Sequence, residues 1–144
     1  MGAPIVHWEI NAKDAKRTQE FFGNLFGWNI NANNPMNYGL VNTGSKKGIQ
    51  GGIGAKQGPN MPNVTFYVEV DNPQTYLEKA LSMGASVVLP VTEMPNMATY
   101  ALFSDPEGNV VGLVKTAQPP KVARPKRGSR PKKAPRGRKK RGRR

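Results

Sequence analysis

The strongest constraint on the fold is a long internal repeat. Val6, Trp8, Ile10 and Ala12 alternate with His7, Glu9 and Asn11, and Val64, Phe66, Val68 and Val70 alternate with Thr65, Tyr67 and Glu69. A period of two marks a strand with one apolar and one more polar face. Each strand leads into an amphipathic helix. Asp14 can cap the first helix, in which Ala15, Phe21, Phe22, Leu25 and Phe26 give an apolar stripe that Gly27 ends. Asp71 and Asn72 are cap candidates for the second, Pro73 suits its first turn, and Tyr76, Leu77, Ala80 and Leu81 run on to Gly84. The two terminating glycines stand 57 residues apart.

Three short strands follow each helix. In the first half they are Trp28 to Ile30, Tyr38 to Asn42 and Gly48 to Ile53; in the second, Val87 to Leu89, Thr99 to Phe103 and Val110 to Val114. The last two are joined by Asp105-Pro106-Glu107-Gly108-Asn109, a turn sequence. The fold class is therefore α+β: two βαβββ modules, about 4–56 and 62–116, within one domain over 1–117. Their helices cover the apolar faces, and the more polar faces curve into a mixed-sheet cleft, the default place for a ligand.

Charge is distributed very unevenly. All nine acidic residues and eight of the twenty-two Lys/Arg precede Lys121, while residues 121–144 hold fourteen basic residues and no acid. The high pI therefore belongs to the tail and not to the domain. From Gln118-Pro119-Pro120 the chain is Lys, Arg, Pro and Gly with almost nothing apolar, so 118–144 is expected to be disordered. Such a polycation binds DNA or RNA by releasing counterions, with strong salt dependence and little sequence preference. The residues expected to do so are Lys126, Arg127, Arg130, Lys132, Lys133, Arg136, Arg138, Lys139, Lys140, Arg141, Arg143 and Arg144. Their Arg-Gly-Arg runs resemble AT-hook cores, although Ser129 interrupts the first and no proline follows the second. Attachment to an anionic membrane surface and a nuclear-localisation-type signal are competing readings of the same charge.

The absence of cysteine excludes disulfides, thiolate metal sites and a cysteine nucleophile. No basic segment with an apolar run opens the chain and no run is long enough to cross a membrane, so a cytoplasmic protein is expected, with nucleoid association as the further expectation from its tail. The glycine-rich Gly48 to Gly54 lacks the Lys-Ser/Thr of a phosphate loop, and a closely approached strand is the better reading. Met83, Met94, Met97, Trp8 and the helix phenylalanines read as core and rim packing.

The His7 strand running to Asp14, the helix end Phe26-Gly27-Trp28, the strand end Val68-Glu69-Val70-Asp71, and Phe103-Ser104-Asp105-Pro106-Glu107-Gly108-Asn109 together resemble the vicinal oxygen chelate superfamily. That superfamily includes glyoxalases, bleomycin-resistance proteins and extradiol dioxygenases. The resemblance covers Pro4 to Lys115 and implies a homodimer. In metal-dependent members, ligands come from equivalent strands of both modules. His7 matches the first ligand position, Gln50 falls at or near the second, Asn63 takes the place of another histidine, and Gly112 stands where glutamate is common.

A divalent metal generally needs about three good donors, and this set supplies one histidine. The expectation is therefore a metal-free site without cofactor; were a metal held, His7 with Gln50 or Glu9 would hold it. His7, Glu9, Gln50, Asn63, Thr65, Tyr67 and Glu69 are the candidate cleft residues for a small organic ligand. Glu9, with His7 beside it, is the candidate catalytic acid or base. The alternatives are a lyase, isomerase or dioxygenase of the superfamily, and a nucleoid-associated structural protein that uses the domain for dimerisation.

Overall fold

The computed structural model describes residues 1–117; the basic tail, with its expected disorder and nucleic-acid contacts, lies outside them. The elements are β1 (Ile5–Ala12), α1 (Ala15–Phe26), β2 (Asn29–Asn31), β3 (Gly39–Asn42), β4 (Gly51–Ala55), β5 (Val64–Glu69), α2 (Pro73–Ser82), β6 (Ser86–Met94), β7 (Ala98–Ser104) and β8 (Val110–Thr116). Strand, helix and three strands therefore occur twice, as the repeat implies. Asp14 accepts from the Arg17 amide at the start of α1, and Gly27 ends that helix at φ 68°, a left-handed conformation that glycine adopts without steric cost. Asn72 accepts from the Thr75 amide at the start of α2.

All eight strands form one curved open sheet in the order β2-β3-β4-β1-β5-β8-β7-β6. The two halves meet at β1 and β5, which are antiparallel, with His7 opposite Tyr67, Trp8 opposite Phe66 and Glu9 opposite Thr65. On either side a parallel pair continues the sheet: β1 with β4, placing Glu9 beside Gly52, and β5 with β8, placing Tyr67 beside Gly112.

α2 packs over β6, β7 and β8, enclosing a core of Val70, Leu77, Ala101 and Leu113. α1 is held more loosely. None of its residues is fully buried, and it is anchored by Phe22 against Trp28, which in turn meets Trp8, and by Gln19, whose amide donates to the Ile53 carbonyl at 2.8 Å.

Three expectations are corrected. The sixth strand is not the short Val87 to Leu89 but runs nine residues, Ser86 to Met94, straight through Pro90. It is the edge of the sheet, where a missing ladder donor is tolerated, and its register slips on both sides of Leu89. The helix phenylalanines are not all core: Phe21 and Phe26 are 60% and 55% exposed, and Met83 is 71% exposed at the end of α2. Nor does the alternation of β5 sort its residues by depth as expected. Val64 and Phe66 are exposed while Thr65 and Tyr67 are buried, because the two helices flank the β1/β5 seam without covering it and the other face is closed by the curling sheet.

Candidate functional site

The buried polar face of the central strands opens into a cavity of about 430 Å³, lined from both halves. Alternation along β1 delivers His7, Glu9 and Asn11 to it, and alternation along β5 delivers Tyr67 and Glu69. Tyr38, just before β3, and Tyr100 on β7 close it from the flanks, and Met36, Met61, Met94 and Met97 line it as well.

At its floor Glu9 is buried and held between two phenols. Tyr38 donates to one carboxylate oxygen at 2.9 Å and Tyr67 donates to the other at 3.1 Å. Because the single Tyr38 proton goes to Glu9, the 2.8 Å contact between His7 Nε2 and the Tyr38 oxygen needs the imidazole as donor. In the neutral ring this assigns the proton to Nε2 and leaves a lone pair on Nδ1. A chain of hydrogen bonds thus runs from His7 through Tyr38 to Glu9 and is met there by Tyr67.

The ionisation of these groups follows from burial and from the carboxylate charge. Burial pushes both phenols far above the ordinary tyrosine range, and the Glu9 charge and its hydrogen bonds push the same way, so both stay protonated donors. Tyr100 is raised for the same two electrostatic reasons, burial first and Glu9 second. His7 is lowered by burial, against an opposing pull from Glu9. As the only histidine in the chain it has one set of ring resonances, and its proton NMR titration is expected to have its midpoint below 6.5. Glu9→Gln, which removes the opposing pull, should lower that midpoint further; an upward shift would contradict the arrangement.

The tyrosine rings lie where glycines make room. A methyl carbon added at Gly52 would sit 2.0 Å from the Tyr38 hydroxyl, and one at Gly54 2.6 Å from the same ring. One added at Gly112 would sit 2.3 Å from the Tyr67 ring. The glycine-rich stretch is therefore a closely approached strand. At Gly112, the position that the family resemblance pairs with a glutamate ligand, the neighbouring strand's tyrosine fills the space.

Of the residues proposed for the cleft, His7, Glu9, Tyr67 and Glu69 line the cavity, and Gln50, Asn63 and Thr65 do not. The Gln50 side chain instead accepts from the Thr43 amide, tying the β3–β4 connection. Asn63 accepts from Lys56 Nζ through its side chain, and its carbonyl accepts from the Asn11 amide. Thr65 is buried, with its hydroxyl donating to the Val110 carbonyl. Gln50 and Asn63 stand just before their strands, outside the stretch in which alternation governs side-chain direction. Sequence reading put Tyr38 at the start of a strand and did not name it as a site residue; it stands just before β3, where Asn34 holds its backbone. The same reading missed Tyr100 as a cavity residue, although its spacing from Ala98 and Leu102 was a usable signal.

Among the described residues no group of three or more His, Cys, Asp or Glu side chains is disposed to hold a metal ion. His7 Nε2 is turned to Tyr38, and each Glu9 oxygen accepts from a phenol.

A family model described as a glyoxalase-like domain matches residues 7–114. No curated protein matches the chain. Among solved structures, a protein described as an NAD-dependent benzaldehyde dehydrogenase from Legionella pneumophila superposes with a TM-score of 0.59 at 15% identity, covering 77% of this chain and 98% of that one. A glyoxalase/bleomycin resistance protein/dioxygenase superfamily member from Vibrio splendidus 12B01 gives 0.55 at 17% identity, covering 81% and 100%. Methylmalonyl-CoA epimerase from Mycobacterium tuberculosis gives 0.53 at 15%, covering 79% and 88%. At such identities the likeness is one of fold.

Proposed function

The chain belongs to the glyoxalase-like domain family, and from that premise we propose that it binds a small organic molecule over Glu9, without a metal, while residues 121–144 tether the domain to DNA or RNA. The observation that carries the first part is the clamping of Glu9 by Tyr38 and Tyr67, whose rings lie over Gly52 and Gly112. Among the described residues no three donors come together there for a metal ion, and the clamp borders a half-open, aromatic and methionine-lined cavity within the usual size range for small ligands. Support for the second part is the charge of the tail: fourteen cations in twenty-four residues against a domain with no basic excess.

The experiment has two arms. After incubation with Zn, Mn, Ni or Fe(II) salts and dialysis, the full-length protein should retain no stoichiometric ion; an equimolar ion that His7→Ala abolishes would overturn the metal-free reading. Full-length protein should bind duplex DNA or RNA with an affinity that falls steeply with salt, and removal of 121–144 should abolish it; salt-insensitive binding would refute the tether.

A homodimer completes the reading, supported by the uncovered apolar seam of Ile5, Val64 and Phe66 and by the exposed Phe21, Leu25 and Phe26 of α1. Sedimentation of the protein in high salt tests it. The His7–Tyr38–Glu9 chain favours a second reading, in which the same site moves a proton as a lyase or isomerase through Glu9 and His7. In that case turnover of a bound ligand would fall with Tyr38→Phe as well as with Glu9→Gln. Cytoplasmic, nucleoid-associated placement follows from the tether and stands or falls with it.

A further inference from the structure

The proposed ligand site is chemically one-sided. Among the described residues its lining includes two carboxylates, Glu9 at the floor and Glu69 at the rim, and neither lysine nor arginine. His7, the one other group there that could carry positive charge, is pushed toward its neutral form by burial. Glu9 is buried with phenols as its partners, and among the described residues no cation stands against it. A buried carboxylate is stabilised by hydrogen bonds but remains short of a counter-charge. Each of its oxygens accepts one phenol, while a carboxylate has about four lone-pair sites, so further donors can be received.

Around this charge stand the rings of Tyr38, Tyr67 and Tyr100 and the thioethers of Met36, Met61, Met94 and Met97. Aromatic faces attract cations as well as flat apolar surface, and methionine adapts to either. An anionic ligand would face two carboxylates with no lysine or arginine among the described lining residues to meet it. Resting on the small-molecule reading above, we infer that the cavity selects an aromatic ammonium or amidinium ligand, its ring between the tyrosines and its cationic N–H groups on Glu9.

Three probes sharing one ring system separate the possibilities: 2-naphthylmethylammonium, 2-naphthylmethanol and 2-naphthoate. The ring resonances of His7, the sole histidine, report the cavity in the full-length protein without interference from the tail. The ammonium should bind about tenfold tighter than the alcohol, the difference expected between a charge-assisted and a neutral hydrogen bond. The naphthoate should leave His7 unshifted at concentrations where the alcohol half-saturates. Glu9→Gln should bring ammonium and alcohol to within about twofold of each other. Should that variant fail to fold, Glu69→Gln, at an exposed rim residue, should cut the preference about threefold.

Equal binding of ammonium and alcohol, tighter binding of the naphthoate, or a preference that survives Glu9→Gln would overturn the charge selectivity while leaving the cavity a ligand site. If none of the three moves His7, the small-molecule reading fails, and this inference with it.

Discussion

Gly112→Ala is expected to destabilise the domain by about 2–3 kcal/mol, far more than a one-carbon change on a surface strand. The added carbon would lie 2.3 Å from one ring carbon of Tyr67 and 2.8 Å from another at the base of the ring, so the whole side chain must move and not merely its tip. Tyr67 is buried and in register beside Gly112, and displacing it takes its hydroxyl from Glu9. Overpacking and a buried carboxylate short of one donor then add. In urea unfolding the midpoint should fall with an unchanged slope. Placing the substitution in a Tyr67→Ala background should recover most of the loss, since the two positions are in contact and do not act independently. A Gly112→Ala protein within about 0.5 kcal/mol of the parent would mean that Tyr67 does not occupy that space.

That glycine marks the division between what the sequence made legible and what it hid. Strands β1 and β5, both helices, and the caps at Asp14, Asn72 and Gly27 follow from local rules, because alternation and capping act within a few residues. The doubled βαβββ order follows from their repetition. β6 escaped because Pro90 ordinarily ends a strand, and only its place at the sheet edge removes the penalty. Gly112 could be read as a missing metal donor but not as the seat of a tyrosine, since the ring above it comes from another strand forty-five positions away in the chain.

The site was legible in part for the same reason. His7, Glu9, Tyr67 and Glu69 share a face by alternation alone and do line the cavity. Gln50 and Asn63 were expected there only by correspondence with metal-binding relatives, and their side chains are engaged by Thr43 and Lys56 instead. Thr65 has the right parity but lies over Val110, where the sheet itself closes the space. Tyr38 depends on a loop conformation fixed by Asn34, which both accepts from its amide and donates to its carbonyl. No pattern in the sequence announces that pair.

The second large effect expected is an alkaline loss of stability. Tyr38 and Tyr67 are raised in the folded protein by burial first, then by the Glu9 charge and its hydrogen bonds, whereas in the unfolded chain they titrate near 10. Above pH 10 the folded state therefore binds more protons than the unfolded state, and stability must fall as pH rises. The stabilisation is fully present below pH 10 and declines at about 1.4 kcal/mol per tyrosine per pH unit above it. By pH 11 the pair should cost about 3 kcal/mol. Near them stand His7, neutral in this range, the Glu9 carboxylate, and Tyr100, which is raised as well and adds in the same direction. Lysine deprotonation acts on parent and variants alike, so the comparison to make is with Tyr38→Phe/Tyr67→Phe. This double variant should start less stable, its buried Glu9 having lost both donors, and then decline with a clearly shallower slope between pH 10 and 11. Tyrosinate absorbance should rise at the unfolding transition of the parent by two phenolates more than in the variant. Equal slopes, or ionisation of both phenols ahead of unfolding, would show that the two hydroxyls are not held as donors to Glu9.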